Sequence, residues 1–181
     1  ANHGAFSSNW RVNECMGYTL DLFGASSYIW KQTHVNGHHI HTNHKNDPDI
    51  RTKDPDIRKI ASWDTLRWYH KYQHIYIPFL YPLLSIKSCT IDDFVALYTG
   101  YVGSVKLRPM TEGDAHIFWI CKCIFFLVHV CIPIYNVGIQ KYGLIMVVSE
   151  LTTGTILSNL FQVAHVSSRV TYHTTPHSID D

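Results

Sequence analysis

Along this chain, apolar and polar residues are sorted into blocks. Two apolar blocks stand close together in the last third. The first runs from Ile117 to Val137 with Lys122 as its only charge; the second, Leu144 to Val163, carries Glu150 and several Ser and Thr. A helix rising 1.5 Å per residue needs about 20 mostly apolar residues to cross a bilayer core of about 30 Å. The first block therefore predicts a spanning helix and the second a weaker one. Lys122 lies near one end, where its stem can snorkel. Pro133 predicts a kink, and His116 is placed as the cap at the start of the helix. A short turn around Gly138 to Gly143 makes the pair an antiparallel helical hairpin. A buried soluble hairpin has the same lengths, but the density of Trp, Phe and Ile favours a membrane.

Upstream the pattern is less regular. Residues 4 to 30 mix small, aromatic and apolar positions and suit an amphipathic or interfacial helix. Residues 31 to 74 are polar, basic and rich in His. They contain a tandem repeat, Asp47-Pro-Asp-Ile-Arg51-Thr-Lys53 followed by Asp54-Pro-Asp-Ile-Arg58-Lys59. Each Asp-Pro favours a turn, so this stretch predicts an ordered surface loop. Residues 75 to 86, with Pro78 and Pro82, are too short to span and suit a broken interfacial segment. Residues 92 to 105 form another moderate apolar stretch.

Composition narrows the classes. The 181 residues allow one domain. Only 16% are charged, against about 25% in an average soluble protein. A formal net charge of +1 gives no case for nucleic-acid binding. The mean hydropathy of -0.06 hides the division into blocks. Of the 5 Cys, Cys121, Cys123 and Cys131 lie in an apolar run, as reduced packed thiols do. Eleven of the 15 Lys and Arg lie between Lys31 and Arg108. Through the positive-inside rule this places the His-rich region and the C-terminus in the cytosol.

Histidine is the unusual count, at 13. His34, His38, His39, His41 and His44 fall in the single stretch HVNGHHIHTNH. Metal ligation explains such clustering better than a solvated loop. On a regular helix, His38 and His41 share the face of His34, at about 40° and about -20°, while His39 sits near 140°. Adjacent ligands pointing apart suit two ions or a distorted helix, and Asn36-Gly37 permits distortion. There is no His-Glu-x-x-His and no Glu-x-x-His. Imidazole suits Fe, Zn and Cu alike, so spacing does not name the metal.

Ala1-Asn2-His3-Gly-Ala-Phe-Ser7 looks like the tail of a His-Asp-x-x-His-Gly box. His34-Val-Asn-Gly-His38-His39, followed by Thr42-Asn43, matches a His-x-x-x-His-His box. Asp47-Pro-Asp-Ile50, His70-Lys-Tyr-Gln-His74-Ile-Tyr-Ile-Pro78 and Phe161-Gln-Val-Ala-His165-Val complete the set. In this order the motifs resemble those of the membrane fatty acid desaturase family, and within it the front-end acyl-lipid type, which shares its architecture with sphingolipid desaturases. The resemblance covers nearly the whole chain. The start of the first box and a third, Gln-x-x-His-His box do not occur in residues 1 to 181. The expectation is therefore a partial desaturase domain: an all-α membrane hairpin with a cytosolic His-box cap, from a four-helix enzyme, inactive by itself.

The resemblance implies two iron ions held by His3, His34, His38, His39 and His165. It favours His39 where a regular helix favours His41. It also implies electrons from a cytochrome b5-type domain or protein and a fatty acyl substrate on a lipid or on coenzyme A. The location it implies is the membrane of the endoplasmic reticulum, with the boxes facing the cytosol. The activity would be oxygen-dependent insertion of a cis double bond, with no catalytic residue beyond the metal ligands. Two other readings remain: a membrane fatty acyl or sphingolipid hydroxylase, and a non-catalytic His-rich metal-binding membrane protein.

The remaining polar groups carry structural expectations. His70 and His74 are placed in the interface, and His173 and His177 in solvent. Trp10 and Trp30 are read as packing residues, Asn159 and Gln162 as helix-packing groups. His129 and Glu150 fall at equal depth on the two antiparallel runs, about 19 to 20 Å from the cytosol. That predicts a structural pair between them, the alternative being a protonated Glu150 bonded to a Ser or Thr of its own helix.

Overall fold

The computed structural model describes residues 3–45, 47–50, 57–103, 105–167 and 169–173. Most of them are helical. Three short helices, α1 (Trp10–Gly17), α2 (Thr19–Leu22) and α3 (Ser27–Trp30), lead into a π-helical segment, Lys31–His38. The loop after it leads to an arm of changing helical type. The arm contains a 3-10 turn Trp68–Tyr72, α4 (Gln73–Leu80), a 3-10 turn Tyr81–Leu83 and α5 (Leu84–Lys87). It ends in a π-helical stretch Ser88–Asp92 and α6 (Asp93–Thr99). A small antiparallel hairpin follows, β1 (Tyr101–Val102) against β2 (Val105–Lys106), with Val102 opposite Val105.

The last third holds α7 (Glu112–Phe126), a π turn Leu127–Cys131, α8 (Ile132–Val137) and α9 (Ile139–His165). Glu112–Val137 is one continuous rod of 26 residues and α9 is 27 residues long. Both are long and apolar enough to cross a membrane. Only 17% and 11% of their most apolar windows are buried. A core helix of a soluble protein would bury most of that surface; here Trp119, Leu144 and Val163 stand exposed.

Local chemistry explains the ends of these rods. The start of α7 is a capping box, not His116. The Thr111 hydroxyl accepts from the Asp114 N–H at 3.2 Å, and the Asp114 carboxylate accepts from the Thr111 N–H at 3.2 Å. His116 lies inside the helix. Pro133 offers no N–H to the carbonyl one turn back, and the rod widens into its π turn there. The turn between the rods is Gly138 alone, shorter than the expected 138 to 143. Its φ of 78° and ψ of 156° suit glycine far better than any other residue.

The arm was expected to be a short broken segment over 75 to 86. It is instead helical, in pieces, through residue 99, because Pro78 and Pro82 interrupt the hydrogen bonding without turning the chain away. Both long rods are tied to it. Gly154 of α9 is so close to the Pro82 carbonyl that a Cβ there would lie 2.0 Å from its oxygen. On the other rod, Phe118 and Trp119 pack around Phe94.

Lys122 does not snorkel. It is 4% exposed, and its ammonium donates to the Gly24 carbonyl and, at 2.6 Å, to Asp93. Asp93 also accepts from the Ser26 N–H at 2.7 Å. This buried knot joins the residue 21–27 stretch, the arm and α7. Residues 4 to 30 thus form three short helices rather than one, with the 21–27 stretch packed into the knot and Trp10 and Phe23 exposed. The ionisable groups of the rods do not pair as expected either. No hydrogen bond or ion pair joins His129 to Glu150. The His129 ring stacks on Phe125 and donates from Nδ1 to its carbonyl at 3.3 Å, while Glu150 accepts from the Ser85 hydroxyl of the arm at 2.6 Å.

Candidate metal centre

The π-helical segment decides which histidines share a face. Its bonds span five residues, as in the His39 N–H donating to the His34 carbonyl at 3.0 Å. At about 4.4 residues per turn, residues four and five positions on lie about 30° and 50° to either side of the first. His38 and His39 therefore straddle His34. His41 is turned to the other side, where it lines a separate cavity. The regular-helix arithmetic favouring His41 used the wrong period.

Gly37 brings the next loop in. A Cβ there would sit 2.9 Å from Pro48 and 3.2 Å from Val105, so the absence of a side chain lets Pro48 lie against the helix. That contact delivers Asp47 and Asp49 to the histidines. Asp47 is wholly buried. It accepts from His38 Nδ1 at 2.8 Å, from the Asn43 N–H at 2.9 Å and from the Asp49 N–H at 2.9 Å. Asn43 takes a left-handed φ of 61°, which Asn tolerates better than most residues. Asp49 accepts from His34 Nδ1. With their Nδ1 protons held by carboxylates, both rings turn bare Nε2 lone pairs to the opposite side.

The end of α9 supplies the next ring. His165 donates from Nδ1 to the Phe161 carbonyl at 3.0 Å, and its Nε2 lies 3.1 Å from His38 Nε2. Two bare acceptors at that distance repel unless a cation stands between them. Two ligands each about 2.1 Å from one ion sit about 3.0 to 3.4 Å apart, so this spacing fits a shared metal. His3 completes the other side, with ring centroids 5.3 Å from His34 and 5.0 Å from His39. Trp30 stacks on His34 at 4.4 Å and shields it.

The donors thus form two sets of three, His3–His34–His39 and His38–Asp49–His165, each with its ligand atoms within 4.8 Å of one another. All five histidines singled out from the sequence lie in these sets. Burial pulls the His34 pKa below the usual imidazole range, against the opposing pull of Asp49. This favours the neutral ring that a metal requires. The donor chemistry fits two ions that accept imidazole and carboxylate.

Asp47 and Asp49 were not identified from the sequence as part of the site. The available signal was two carboxylates held by a turn-forming Pro directly after a histidine cluster, where imidazoles need acceptors for their second nitrogens. Other residues play lesser parts. His70 is buried and accepts at Nδ1 from the Arg67 N–H at 3.1 Å, a structural role, while His74 is exposed. His173, expected in solvent, docks on the box: its N–H donates to the Asn43 carbonyl at 2.9 Å, and its ring lies 5.4 Å from that of His44. Asn159 donates to the Thr155 carbonyl of its own helix at 2.7 Å. Trp10 is exposed. His177 and the repeat residues Arg51 to Asp56 lie outside the described residues.

Residues 1–180 match the family model described as fatty acid desaturase. The chain is 46% identical over 179 residues to the acyl-lipid (8-3)-desaturase of Physcomitrium patens, covering 96% of this chain and 37% of that protein. Against acyl-lipid (8-3)-desaturase B of Dictyostelium discoideum the identity is 36%, covering 99% of this chain and 39% of the relative. Against Delta(5) fatty acid desaturase A of the same organism it is 33%, with coverages of 99% and 39%. The chain therefore spans about two fifths of the length of these curated relatives. No solved structure matches significantly.

Proposed function

The chain belongs to the fatty acid desaturase family, and from that premise we propose that it carries part of a centre for oxygen-dependent insertion of a cis double bond into a long-chain fatty acyl group. The observation that supports this reading best is the pair of three-donor sets on and around one π-helical segment. His3, His34 and His39 would hold one iron; His38 and His165, with Asp49 beside them, would hold the second. When bound, two irons supply the oxidising power that breaking an unactivated C–H bond needs. The residues of this chain do the rest. Asp47 and Asp49 fix the tautomer and tilt of His38 and His34, Trp30 covers one ring from water, and the end of α9 brings His165 to the box.

The rods Glu112–Val137 and Ile139–His165 would insert in the membrane of the endoplasmic reticulum, with the histidines on its cytosolic side. Their outward apolar surface supports insertion in a membrane, and the crowding of Lys and Arg upstream supports the cytosolic side; the endoplasmic reticulum follows from the family resemblance. Because His165 ends α9, the centre would stand where that rod leaves the lipid, within reach of an acyl chain rising from it. Electrons would arrive from a cytochrome b5-type donor. The test is expression of the full-length protein in a host lacking the activity, with acyl chains profiled by mass spectrometry. New alkenes are expected. Hydroxylated chains would shift the assignment to a hydroxylase, and unaltered chains would overturn both.

A further inference from the structure

Behind the metal-bearing helix, on the side away from His34, His38 and His39, lies a cavity of about 430 Å³. Gln32, Gly37, His41, Val105, Lys106 and Arg108 line it. Asn36 and Gly37 lie four and five positions after Gln32, one turn on along this π segment, and His41 follows just past its end, so the back face is committed to the cavity as the front face is to the imidazoles. Among the described residues no carboxylate lines the space, and Lys106 and Arg108 make no ion pair. Gln32 adds an independent sign. Its Oε1 accepts from the Arg108 N–H at 2.6 Å, which fixes the amide, and its buried Nε2 then has no acceptor. Two cations, an imidazole and an unmatched amide N–H converge on one space, and what they lack in common is an anionic, multi-oxygen acceptor.

Position narrows the source of that anion. Arg108 lies three residues before Thr111, the cap of α7, and the Tyr28 hydroxyl pins this approach by donating to the Arg108 carbonyl at 3.1 Å. If α7 enters the bilayer at its capped end, Lys106 and Arg108 stand at the depth of lipid headgroups, where basic side chains meet phosphate. We propose that this cavity binds the phosphate ester of the acyl carrier, a phospholipid headgroup, and so anchors the substrate behind the helix that holds the metals. The inference rests on the desaturase reading for its substrate. Coenzyme A offers the same phosphate chemistry from a different source, so both carriers belong in the test.

The experiment measures equilibrium binding to the purified full-length protein in neutral detergent. Its probes are a spin-labelled phosphatidylcholine, the equally labelled diacylglycerol, and an acyl-coenzyme A. The proteins compared are the wild type, Lys106→Gln/Arg108→Gln, Gln32→Leu and Arg108→Lys. The double variant should weaken phosphatidylcholine about tenfold, at about fivefold per interfacial cation with incomplete additivity. Diacylglycerol binding should not move, and Arg108→Lys, which keeps the charge, should hold phosphatidylcholine within about twofold of wild type. An unchanged phosphatidylcholine affinity overturns the site. Equal losses for all three ligands overturn it too, since they report a distorted fold. A loss confined to acyl-coenzyme A overturns the headgroup assignment in favour of the thioester carrier. The measurement needs no turnover. Selective binding by a protein that makes no double bond would leave this site standing and remove the desaturase reading.

Discussion

The histidine sets and the Lys122 knot both gather polar groups from distant parts of the chain, yet their charge balance differs. In the knot the cation belongs to the protein. Lys122 meets Asp93 and the Gly24 carbonyl, Asp93 takes the Ser26 N–H, and Asp21 takes the Ser27 N–H at 3.1 Å. One oxygen of buried Asp21 has no partner among the described residues, and burial pushes its carboxyl above the ordinary range. Around the histidines Asp47 stands behind His38, Asp49 lies between His34 and the His38–His165 pair, and the Nε2 atoms of His34, His38 and His165 are left as acceptors. Such a set is complete only with added cations. Removing a member of the first cluster should damage folding; removing a member of the second should damage metal binding and leave the fold.

The sharpest way to break that contrast is at His38. In the full-length protein, His38→Ala and His39→Ala should each abolish turnover and lower iron per protein, measured by elemental analysis, with thermal stability near wild type. His41→Ala should keep both metals. If His41→Ala lost iron while His39→Ala did not, the π-helical register would not describe the working protein. His44→Ala lies outside both sets and should leave iron content alone, although its contact with His173 predicts a small loss of stability.

Lys122→Met should do the reverse. Breaking a buried pair from one side strands a charge and costs about 3 to 5 kcal/mol. The variant should show a large fall in detergent melting temperature or yield, with normal iron per surviving folded molecule. Lys122→Met/Asp93→Asn should recover much of the loss, since the stranded charge is then gone. Iron loss in parallel with stability would mean that the knot and the metal centre are one cooperative unit.

A smaller effect is expected at Asp47→Asn. The amide keeps an oxygen for the His38 N–H but loses the charge that makes the ring a stronger donor to metal. Replacing such an outer carboxylate typically lowers metal affinity about 10- to 100-fold. A chelator competition should show it. An affinity within twofold of wild type would mean that Asp47 serves the loop, through Asn43 and Asp49, rather than the ring.

What could be read from the chain followed the range of the interaction. The two apolar rods, the histidine cluster and the nearness of His165 to it came from length, composition and motif. The side of the helix that each histidine takes did not, because hydrophobic periodicity assumes 3.6 residues per turn and this segment has a π period. Lys122 was misplaced for a different reason. Snorkelling is the default for an isolated lysine in an apolar run, and nothing local reveals that Asp93 and the Gly24 carbonyl fold against it. His116 was outcompeted as a cap by Thr111, whose reciprocal bond with Asp114 satisfies donors that an imidazole there would leave open. Asp47 and Asp49 were passed over because Asp-Pro also makes ordinary turns, and only the close approach of Pro48 to Gly37 turns these two inward.

Glu150 tests the same contrast at its mildest. Equal depth on two antiparallel rods pointed to His129, but equal depth carries no information about azimuth, and a third element changes the choice of partner. The arm lies against α9 at Gly154 and Pro82, which brings the Ser85 hydroxyl to Glu150 at 2.6 Å. His129 is held by its own helix and by the Phe125 ring, 4.9 Å away. Glu150→Gln keeps a carbonyl oxygen for the Ser85 hydroxyl and removes an ionisable group from an apolar rod, so stability should change by less than about 1 kcal/mol. Ser85→Ala leaves a half-buried carboxyl without its donor and should cost about 1 to 2 kcal/mol. In the Glu150→Gln background the same serine change should cost about 1 kcal/mol or less, and that difference is the coupling between the two side chains. His129→Ala should be additive with Glu150→Gln. Coupling between 129 and 150, with none between 85 and 150, would restore the paired-rod arrangement and remove the arm from its place against α9.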